Sequence, residues 1–221
     1  MLYIVATPIG NLADITLRAL EVLSSVDVIL AEDTRVSKKL LAHHNINTQL
    51  ISWHQHSSER DFKNLSHYFA QEKNIALITD AGSPGISDPG GKLIELVLGS
   101  FPETKIVPIP GVSALTAIVS VAGVPMDRFL FLGFLPHKKG RQTLIGEIKS
   151  AKLPVIFFES VHRIMKALEQ LADCPKQLIV GRELTKQFET IYRGTAKDIL
   201  GILSKDKNQQ KGEFVIIVNN K

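Results

Sequence analysis

Short apolar runs alternate with amphipathic segments along the whole chain, and this alternation constrains the fold more than any other feature of the sequence. In the first half, the strand-length runs are residues 2–6, 26–31, 49–53 and 75–79, and a run from residue 106 that stops at prolines. Helical periodicity lies between them, at residues 14–23, 36–43 and 58–71, and again after Pro89. Strands separated by helices predict a parallel, doubly wound sheet.

The second half repeats this alternation with one irregularity. Its predicted strands are residues 129–134, 154–158, 177–182, 188–193 and 213–218, and its predicted helices are residues 112–122, 141–149, 161–171 and 196–203. The strand at 188–193 follows its predecessor without a helix, which indicates a mixed sheet. We therefore predict an α/β fold of two α/β/α domains with a cleft between them. Residues 1–110 form the domain with the mostly parallel sheet, and residues 111–221 form the domain with the mixed sheet.

Composition excludes several classes of protein. Hydrophobic residues make up 44% of the chain and charged residues 22%, as in globular proteins, so disorder is excluded. No apolar run reaches the roughly 18 residues of a membrane span, and the first ten residues are typical of a strand, not of a signal peptide. The single Cys174 cannot form an internal disulfide, so a cytoplasmic location is expected. The net charge of +4 is compatible with an RNA partner.

Common cofactor motifs are absent or incomplete. The first strand is followed by a turn with one glycine, Gly10, where a dinucleotide site needs three. The segment from Gly85 to Lys92 has the wrong spacing for an ATP-binding P-loop, and Leu93 stands where Ser or Thr should bind Mg²⁺. His54 and His56 lack further metal ligands nearby, so we expect no metal and place them on a solvent- or substrate-facing rim. Cys174 is interpreted as structural.

The strongest motif is the glycine-rich segment 80–91, which directly follows an apolar strand. Asp80 therefore lies at a carboxyl end of the sheet, where open α/β folds bind ligands, and we favour ligand contact for it. The glycines let the backbone approach a ligand closely. Asp88 and Pro89 favour a plainer interpretation, with Asp88 as the N-cap of the next helix and Pro89 as its first residue.

Two further segments carry chemistry less specifically. Glu32, Asp33 and Arg35 follow the second strand, where they either line a cleft or form a surface ion-pair cluster. The small residues of the segment 110–117 allow either a ligand or a neighbouring helix to lie against the backbone.

Seven segments, taken together and in order, carry a family resemblance. They are residues 3–12, 31–35, 80–84 with 87–90, 133–136, 158–160 with 162–163, 182–186, and 211–213. From residue 2 to residue 218 the chain resembles the RNA-modifying branch of the tetrapyrrole methylase-like (class III) S-adenosylmethionine methyltransferases. The chain departs from that branch at Gln55, where its members often have an acid.

The resemblance implies a homodimer that binds S-adenosylmethionine in the interdomain cleft. It also implies 2′-O-methylation of a cytidine in the decoding region of 16S ribosomal RNA in the small ribosomal subunit. The cofactor contacts that it implies are Pro8, Ile9, Asp80, Ala81, Gly82, Gly85, Ile86, Ser113, Ala114, Phe134 and Leu184.

A ribose hydroxyl needs help to lose its proton at neutral pH, and we assign that help to Glu32, Asp33 and Arg35 as catalytic residues. Residues 35–39, residues 138–141 and Arg163 are candidates for holding phosphates. Two alternatives stay open: a tetrapyrrole or other small-molecule methyltransferase on the same fold, and a non-catalytic ribosome-binding factor.

Overall fold

The computed structural model of the protein describes residues 1–220. The chain forms two compact units, Met1–Ser113 and Ala114–Lys221, which divide three residues after the boundary predicted from the sequence. Each unit contains one five-stranded sheet.

The sheet of the first unit is wholly parallel, which sharpens the prediction of a mostly parallel one. Its strands are β1 (Leu2–Val5), β2 (Val28–Ala31), β3 (Gln49–Ser52), β4 (Ile75–Ile78) and β5 (Ile106–Ile109). They lie in the order β3-β2-β4-β1-β5, so the apolar central strands are β2, β4 and β1. Pro108 is tolerated within β5 because β5 is an edge strand, where the missing N–H interrupts no ladder.

Helices cover both faces of this sheet. They are α1 (Leu17–Ser25), α2 (Thr34–His43), α3 (Glu59–Ala70) and α4 (Gly90–Ser100), with a short 3-10 helix at Leu12–Asp14. Trp53 and the apolar stripe of α3 pack with α4 on one face, while α1 and α2 pack on the other. The helix predicted at 14–23 is displaced, because Thr16 caps α1 by accepting from the Ala19 N–H. The two covered faces confirm the α/β/α layering of this unit.

The sheet of the second unit is mixed, as predicted. Its strands are β6 (Leu130–Phe134), β7 (Val155–Ser160), β8 (Gln177–Arg182), β9 (Thr190–Thr195) and β10 (Glu213–Val218), in the order β6-β7-β10-β8-β9. Only the pair of β6 and β7 is parallel among the pairs that the structure describes between residues 114 and 220. β9 begins two residues later than predicted because Phe188 and Glu189 belong to a turn that contacts Arg182 and Thr185.

The helices of the second unit are α5 (Ala114–Ser120), α6 (Arg141–Ser150), α7 (Ile164–Leu171) and α8 (Ala196–Lys205). α6, α7 and α8 pack on one face of the sheet around Phe157, Phe214 and Ile216. α5 is shorter than the helix predicted at 112–122, and its Ile118 lies against Gly181 of the sheet. The helix predicted at 161–171 begins only at Ile164, because the preceding turn is closed by the Arg163 N–H donating to the Ser160 carbonyl.

The described residues contain neither a membrane-spanning helix nor a cluster of metal ligands. Across residues 1–220, every helix is too short or too polar to cross a bilayer. Over the same residues, no three His, Cys, Asp or Glu side chains are grouped so that they could hold a metal ion.

Candidate functional site

The carboxyl ends of β2 and β4 bring two of the sequence motifs together. Because these parallel strands are neighbours, the residues that follow them meet at one edge of the sheet. The Thr79 hydroxyl donates to Oε2 of Glu32 at 2.9 Å, and the Asp33 N–H donates to Oδ1 of Asp80 at 2.9 Å. Glu32, Asp33 and Asp80 therefore form one acidic group, which joins the segment after β2 to the segment after β4.

The end of β1 joins this group through the glycine-rich segment. Thr7 and Gly82 form an isolated antiparallel bridge, with N–H to carbonyl distances of 2.9 and 3.0 Å. The buried Thr7 hydroxyl also donates to the Thr79 carbonyl at 3.0 Å. After β1 the chain crosses to β2 in one direction, and after β4 it crosses to β5 in the other. Such a reversal between neighbouring strands is where open α/β sheets bind ligands.

Gly82 is the residue in this turn that only glycine suits. Its φ is +83°, in the left-handed region, and a Cβ there would lie 3.4 Å from the Ile9 side chain. Gly85 has a φ of +92° but open space around the position of its absent Cβ. The backbone at Gly85 is therefore accessible to a ligand without a neighbouring side chain in the way.

Asp88 organises the loop between Gly82 and α4. Its carboxylate accepts from the N–H of Gly85 at 2.8 Å, of Ile86 at 3.2 Å and of Gly90 at 2.7 Å. The predicted N-cap role of Asp88 was wrong in position, because α4 begins at Gly90 and its N-cap is Pro89. The carboxylate reaches both the loop and the first helical N–H, so it fixes the loop against the start of α4.

Asp33 and Arg35 form a bidentate pair at the start of α2. Asp33 is the N-cap of α2 and accepts from the backbone N–H of Arg35. The Arg35 side chain also donates from Nη2 to Oδ2 of Asp33 at 2.7 Å. These hydrogen bonds lower the pKa of Asp33 to about 2. Asp33 therefore stays ionised and committed to Arg35 and the helix start at neutral pH.

The environment of Asp80 shifts its pKa in the opposite direction, above the usual value of an aspartate. Partial desolvation at the sheet edge raises the pKa of Asp80 although the residue is exposed, the nearby Asp33 charge adds to this, and the Asp33 N–H and Arg35 offset only part of it. Of its two carboxylate oxygens, Oδ1 accepts from Asp33, and Oδ2 has no hydrogen-bond partner among residues 1–220. Asp80 thus offers an accessible acceptor whose charge is not neutralised by a close cation.

The remaining cofactor contacts implied in the first unit surround this edge with different exposure. Pro8, Ile9 and Ser113 are buried, whereas Ala81 and Gly85 are exposed and Ile86 is half-buried. The segment from Gly82 is also tied to the end of the unit, because the Ser83 hydroxyl donates to the Val112 carbonyl at 3.3 Å. The rim histidines, His54 and His56, are exposed with ring centroids 6.0 Å apart.

In the second unit, Phe134 lies at the end of β6 with its ring 5.4 Å from that of Phe158 and more than half exposed. Arginines hold the two residues that follow Phe134. Arg163 Nη1 donates to the Leu135 carbonyl, and Arg141 Nη1 donates to the Pro136 carbonyl. Glu159 joins the two arginines underneath this loop.

The Glu159 carboxylate is fully buried between those two guanidinium groups. Oε2 lies 2.9 Å from Arg141 Nη2, and Oε1 lies 2.9 Å from Arg163 Nε. Arg141 is itself 3% exposed and also donates to Gln170. This network fixes the loop that carries Phe134.

Leu184 lies in a turn whose backbone is held in an unfavourable conformation. Glu183 and Thr185 on either side have φ values of +51° and +66°, in the left-handed region. Burial would raise the pKa of Glu183, but hydrogen bonds from Lys186 and the Glu213 N–H lower it overall. Glu189 accepts from the Thr185 N–H. Leu184 is buried against Gly181. Ala114, the other implied cofactor contact of the second unit, is half-buried at the start of α5.

Sequence reasoning missed the residues that organise these loops. Thr79 and Glu189 drew no attention, and Glu159 was noted only as part of the segment 158–160, because a hydroxyl or carboxylate that serves a distant group leaves no periodic signal in the sequence. Cys174 is buried, in keeping with a structural role.

Comparison with known proteins places the chain in a family. The model of the family described as Tetrapyrrole (Corrin/Porphyrin) Methylases matches residues 1–200. The chain is 43% identical to the ribosomal RNA small subunit methyltransferase I of Escherichia coli O157:H7, over 98% of this chain and 77% of that protein. It is 42% identical to the protein of that name from Halalkalibacterium halodurans, over 98% of this chain and 75% of the relative.

Solved structures agree on the fold. The cobalamin biosynthetic enzyme cobalt precorrin-4 methyltransferase matches with a TM-score of 0.69 at 21% identity, over 98% of this chain and 94% of the other. Uroporphyrin-III-C-methyltransferase from Thermus thermophilus matches with a TM-score of 0.66 at 18% identity, over 99% of this chain and 94% of the other. The chain therefore belongs to the tetrapyrrole methylase family, and within it the chain is similar to the proteins named ribosomal RNA small subunit methyltransferase I.

Proposed function

We propose that this protein transfers a methyl group from S-adenosylmethionine to the ribose 2′-oxygen of a cytidine in the decoding region of 16S ribosomal RNA. The observation that carries the proposal is the meeting of three family motifs at one sheet edge, where Asp33 N–H and Asp80 Oδ1 are 2.9 Å apart. The name of relatives that are 43% identical over nearly the whole chain supports ribosomal RNA as the substrate class.

The residues at this edge fit S-adenosylmethionine chemically. The cofactor carries an ammonium group, ribose hydroxyls and a sulfonium cation, all of which favour carboxylate acceptors. Asp80 Oδ2 is such an acceptor, and the open space around the left-handed Gly85 leaves room for close approach. When bound, the cofactor supplies a methyl group that is already activated for uptake by an oxygen nucleophile.

The protein's own task is then to orient the ribose and to receive a proton. We assign the proton to Glu32, because its Oε2 is held by Thr79 while its Oε1 has no partner among residues 1–220. Asp33 is less suited to this role, because Arg35 lowers its pKa to about 2. In our proposal the Asp33–Arg35 pair positions the start of α2 beside Glu32.

Other parts of the proposal rest on the resemblance. We include in it cofactor contacts at Ala114, Phe134 and Leu184, a homodimeric state, a cytoplasmic location and the small ribosomal subunit as the form of the substrate. Light scattering measures the oligomeric state directly, and a monomer at micromolar concentration would remove the homodimer from the proposal.

The function is tested by incubating the protein with labelled S-adenosylmethionine and small subunits that lack the modification. Nuclease digestion and mass spectrometry then identify the labelled nucleoside, and 2′-O-methylcytidine is the expected product. Label on a base, or label accepted only by a tetrapyrrole, would overturn the proposal. Calorimetric titration without any S-adenosylmethionine binding would favour the non-catalytic ribosome-binding factor.

A further inference from the structure

The exposed side of α2 is a continuous basic surface. Lys38 and Lys39 follow Arg35 by three and four residues, and His43 follows Lys39 by four, so the four side chains lie on one broad face of the helix, and all four are exposed. We call these four residues the α2 basic face. The opposite side of α2 carries the buried Ser37, Leu40 and Leu41. The helix is therefore fixed to the sheet by one side and presents cations with the other.

The charges of this face are not balanced within the first unit. In residues 1–113, α1, α3 and α4 each mix cations with acids, as Arg18 and Glu21 of α1 show, whereas the span of α2 contains cations alone. Arg35 is paired with Asp33. Lys38 and Lys39 have no hydrogen-bond or ion-pair partner among residues 1–220. Arg35 also stands in the first helical turn, where the helix dipole disfavours a cation.

The structure also withdraws an arginine from each of the other basic stretches that the sequence offered for phosphates, although Lys138 and Lys139 stay exposed. Arg141 is 3% exposed and bound to Glu159 inside the second unit, so it cannot reach an external phosphate. Arg163 is bound to Glu159 and to the Leu135 carbonyl. Of the three predicted stretches, only residues 35–39 keep all of their cations on the surface.

The position of the face relates it to the candidate site. α2 begins at Asp33, whose N–H contacts Asp80, so the first cation lies at the carboxyl edge and the others lead away from it. From Arg35 to His43 the face extends about 12 Å along the helix. We propose that the α2 basic face holds the phosphate backbone of the RNA that flanks the target nucleotide, an inference that rests on the proposed function.

Lysines bind phosphates as point charges and read no base sequence, so this face would position the RNA without selecting it. Each neutralised phosphate contributes a slope of about 0.7–0.9 to the dependence of log affinity on log salt. Two lysines therefore account for a change of roughly 1.4–1.8 in that slope.

The test compares two double variants that lose the same charge at opposite edges of the first sheet. The variant Lys38→Gln with Lys39→Gln removes the unpaired cations of α2. The control, Lys73→Gln with Lys105→Gln, removes two exposed lysines that precede β4 and β5, at the amino ends of the strands. Binding of small subunits to each protein is measured across a range of salt concentrations, together with methyl transfer and S-adenosylmethionine binding.

We expect the α2 variant to bind small subunits about tenfold more weakly at low salt, with a shallower salt slope. Its cofactor affinity should be unchanged, and the control should behave as the unmodified protein does. Equal binding by both variants would overturn the inference. Weaker binding with an unchanged salt slope would also overturn it, because the partner of α2 would then not be a phosphate.

The two proposals fail separately in this design. If the unmodified protein binds subunits but transfers no methyl group to RNA, the proposed function fails while the binding series still decides the role of α2. If transfer occurs and the α2 variant binds normally, the proposed function stands and the inference is wrong.

Discussion

Both units place an acidic residue of a family motif at or beside the end of a central strand, and they use it in opposite ways. Asp80 follows β4 of the first unit, is exposed, and accepts one hydrogen bond from the backbone of Asp33. Glu159 lies near the end of β7 in the second unit, is 1% exposed, and is bound to two arginines. Position after a strand therefore does not distinguish a ligand contact from a structural anchor. The two roles are distinguished by the number of cations that bind the carboxylate.

The first carboxylate keeps an exposed oxygen that no group of residues 1–220 binds, so this oxygen is free to accept from a ligand. The second has its charge compensated on both sides, and its arginines reach on to the backbone of the Phe134 loop. The comparison thus assigns Asp80 to binding and Glu159 to holding a loop.

Replacing Glu159 with Gln should give the largest effect, and the effect should be on stability. The change leaves the buried guanidinium group of Arg141 and the half-buried one of Arg163 without a counter-charge, and breaking such a pair costs about 3–5 kcal/mol. Urea unfolding followed by circular dichroism measures the loss. Glu147→Gln is the matched control, because Glu147 is exposed on α6 and its side chain has no partner among residues 1–220. A loss below about 1 kcal/mol for Glu159→Gln would show that the pair is not a structural anchor.

Replacing Glu32 with Gln should lower turnover by about 10²-fold and leave cofactor affinity unchanged, because a proton acceptor acts only in the chemical step. Asp33→Asn is the informative comparison. Asparagine keeps the N-cap of α2, and Asp33 is already occupied by Arg35, so we expect a smaller loss of turnover. Single-turnover rates with saturating cofactor measure both variants. A larger loss for Asp33→Asn than for Glu32→Gln would move the proton acceptor to Asp33.

Replacing Asp80 with Asn should weaken S-adenosylmethionine binding by roughly ten- to a hundredfold, the loss of one charge-assisted hydrogen bond of about 1.5–3 kcal/mol. The amide oxygen can still accept from the Asp33 N–H, so the edge should keep its geometry. Titration calorimetry measures the affinity. Asp61→Asn serves as a control, because Asp61 closes the capping box of α3 and is not part of the edge. Unchanged affinity in the Asp80 variant would reject its assignment to the cofactor.

The sequence predicted the layered fold well because burial imposes periodic patterns. The alternation of apolar strands and amphipathic helices located both sheets, and the bounds of β8 and β10 agree with the structure to the residue. Element ends were predicted less well where side chains decide them. Thr16 delays α1, and the turn at Ser160 and Arg163 delays α7, through hydrogen bonds that no periodic pattern contains.

The sequence likewise indicated only part of the candidate site. The sequence placed Asp80 and the segment of Glu32 and Asp33 at carboxyl ends of strands, but their contact follows from the strand order, in which β2 and β4 are neighbours. What the sequence did not indicate is how each carboxylate is paired. Arg35 is two residues from Asp33 and binds it, whereas the partners of Glu159 are four and eighteen residues away.

The pH dependence of cofactor binding gives the smallest effect and the finest test of the comparison. The pKa of Asp80 is raised, so as pH falls Asp80 loses its charge earlier than an ordinary aspartate, and the charge-assisted bond to the cofactor is lost with it. The same shift means that protonation costs the folded chain less than the unfolded one, so Asp80 itself does not destabilise the fold on acidification. The pKa of Asp33 is about 2, so the pair with Arg35 persists down to that pH and does not contribute to a change above pH 4. We therefore expect calorimetric affinities of the unmodified protein and of Asp80→Asn to converge as the pH is lowered from 7.5. Titration elsewhere in the protein affects both proteins alike and cancels in the ratio, so parallel pH profiles would show that the Asp80 charge does not bind the cofactor.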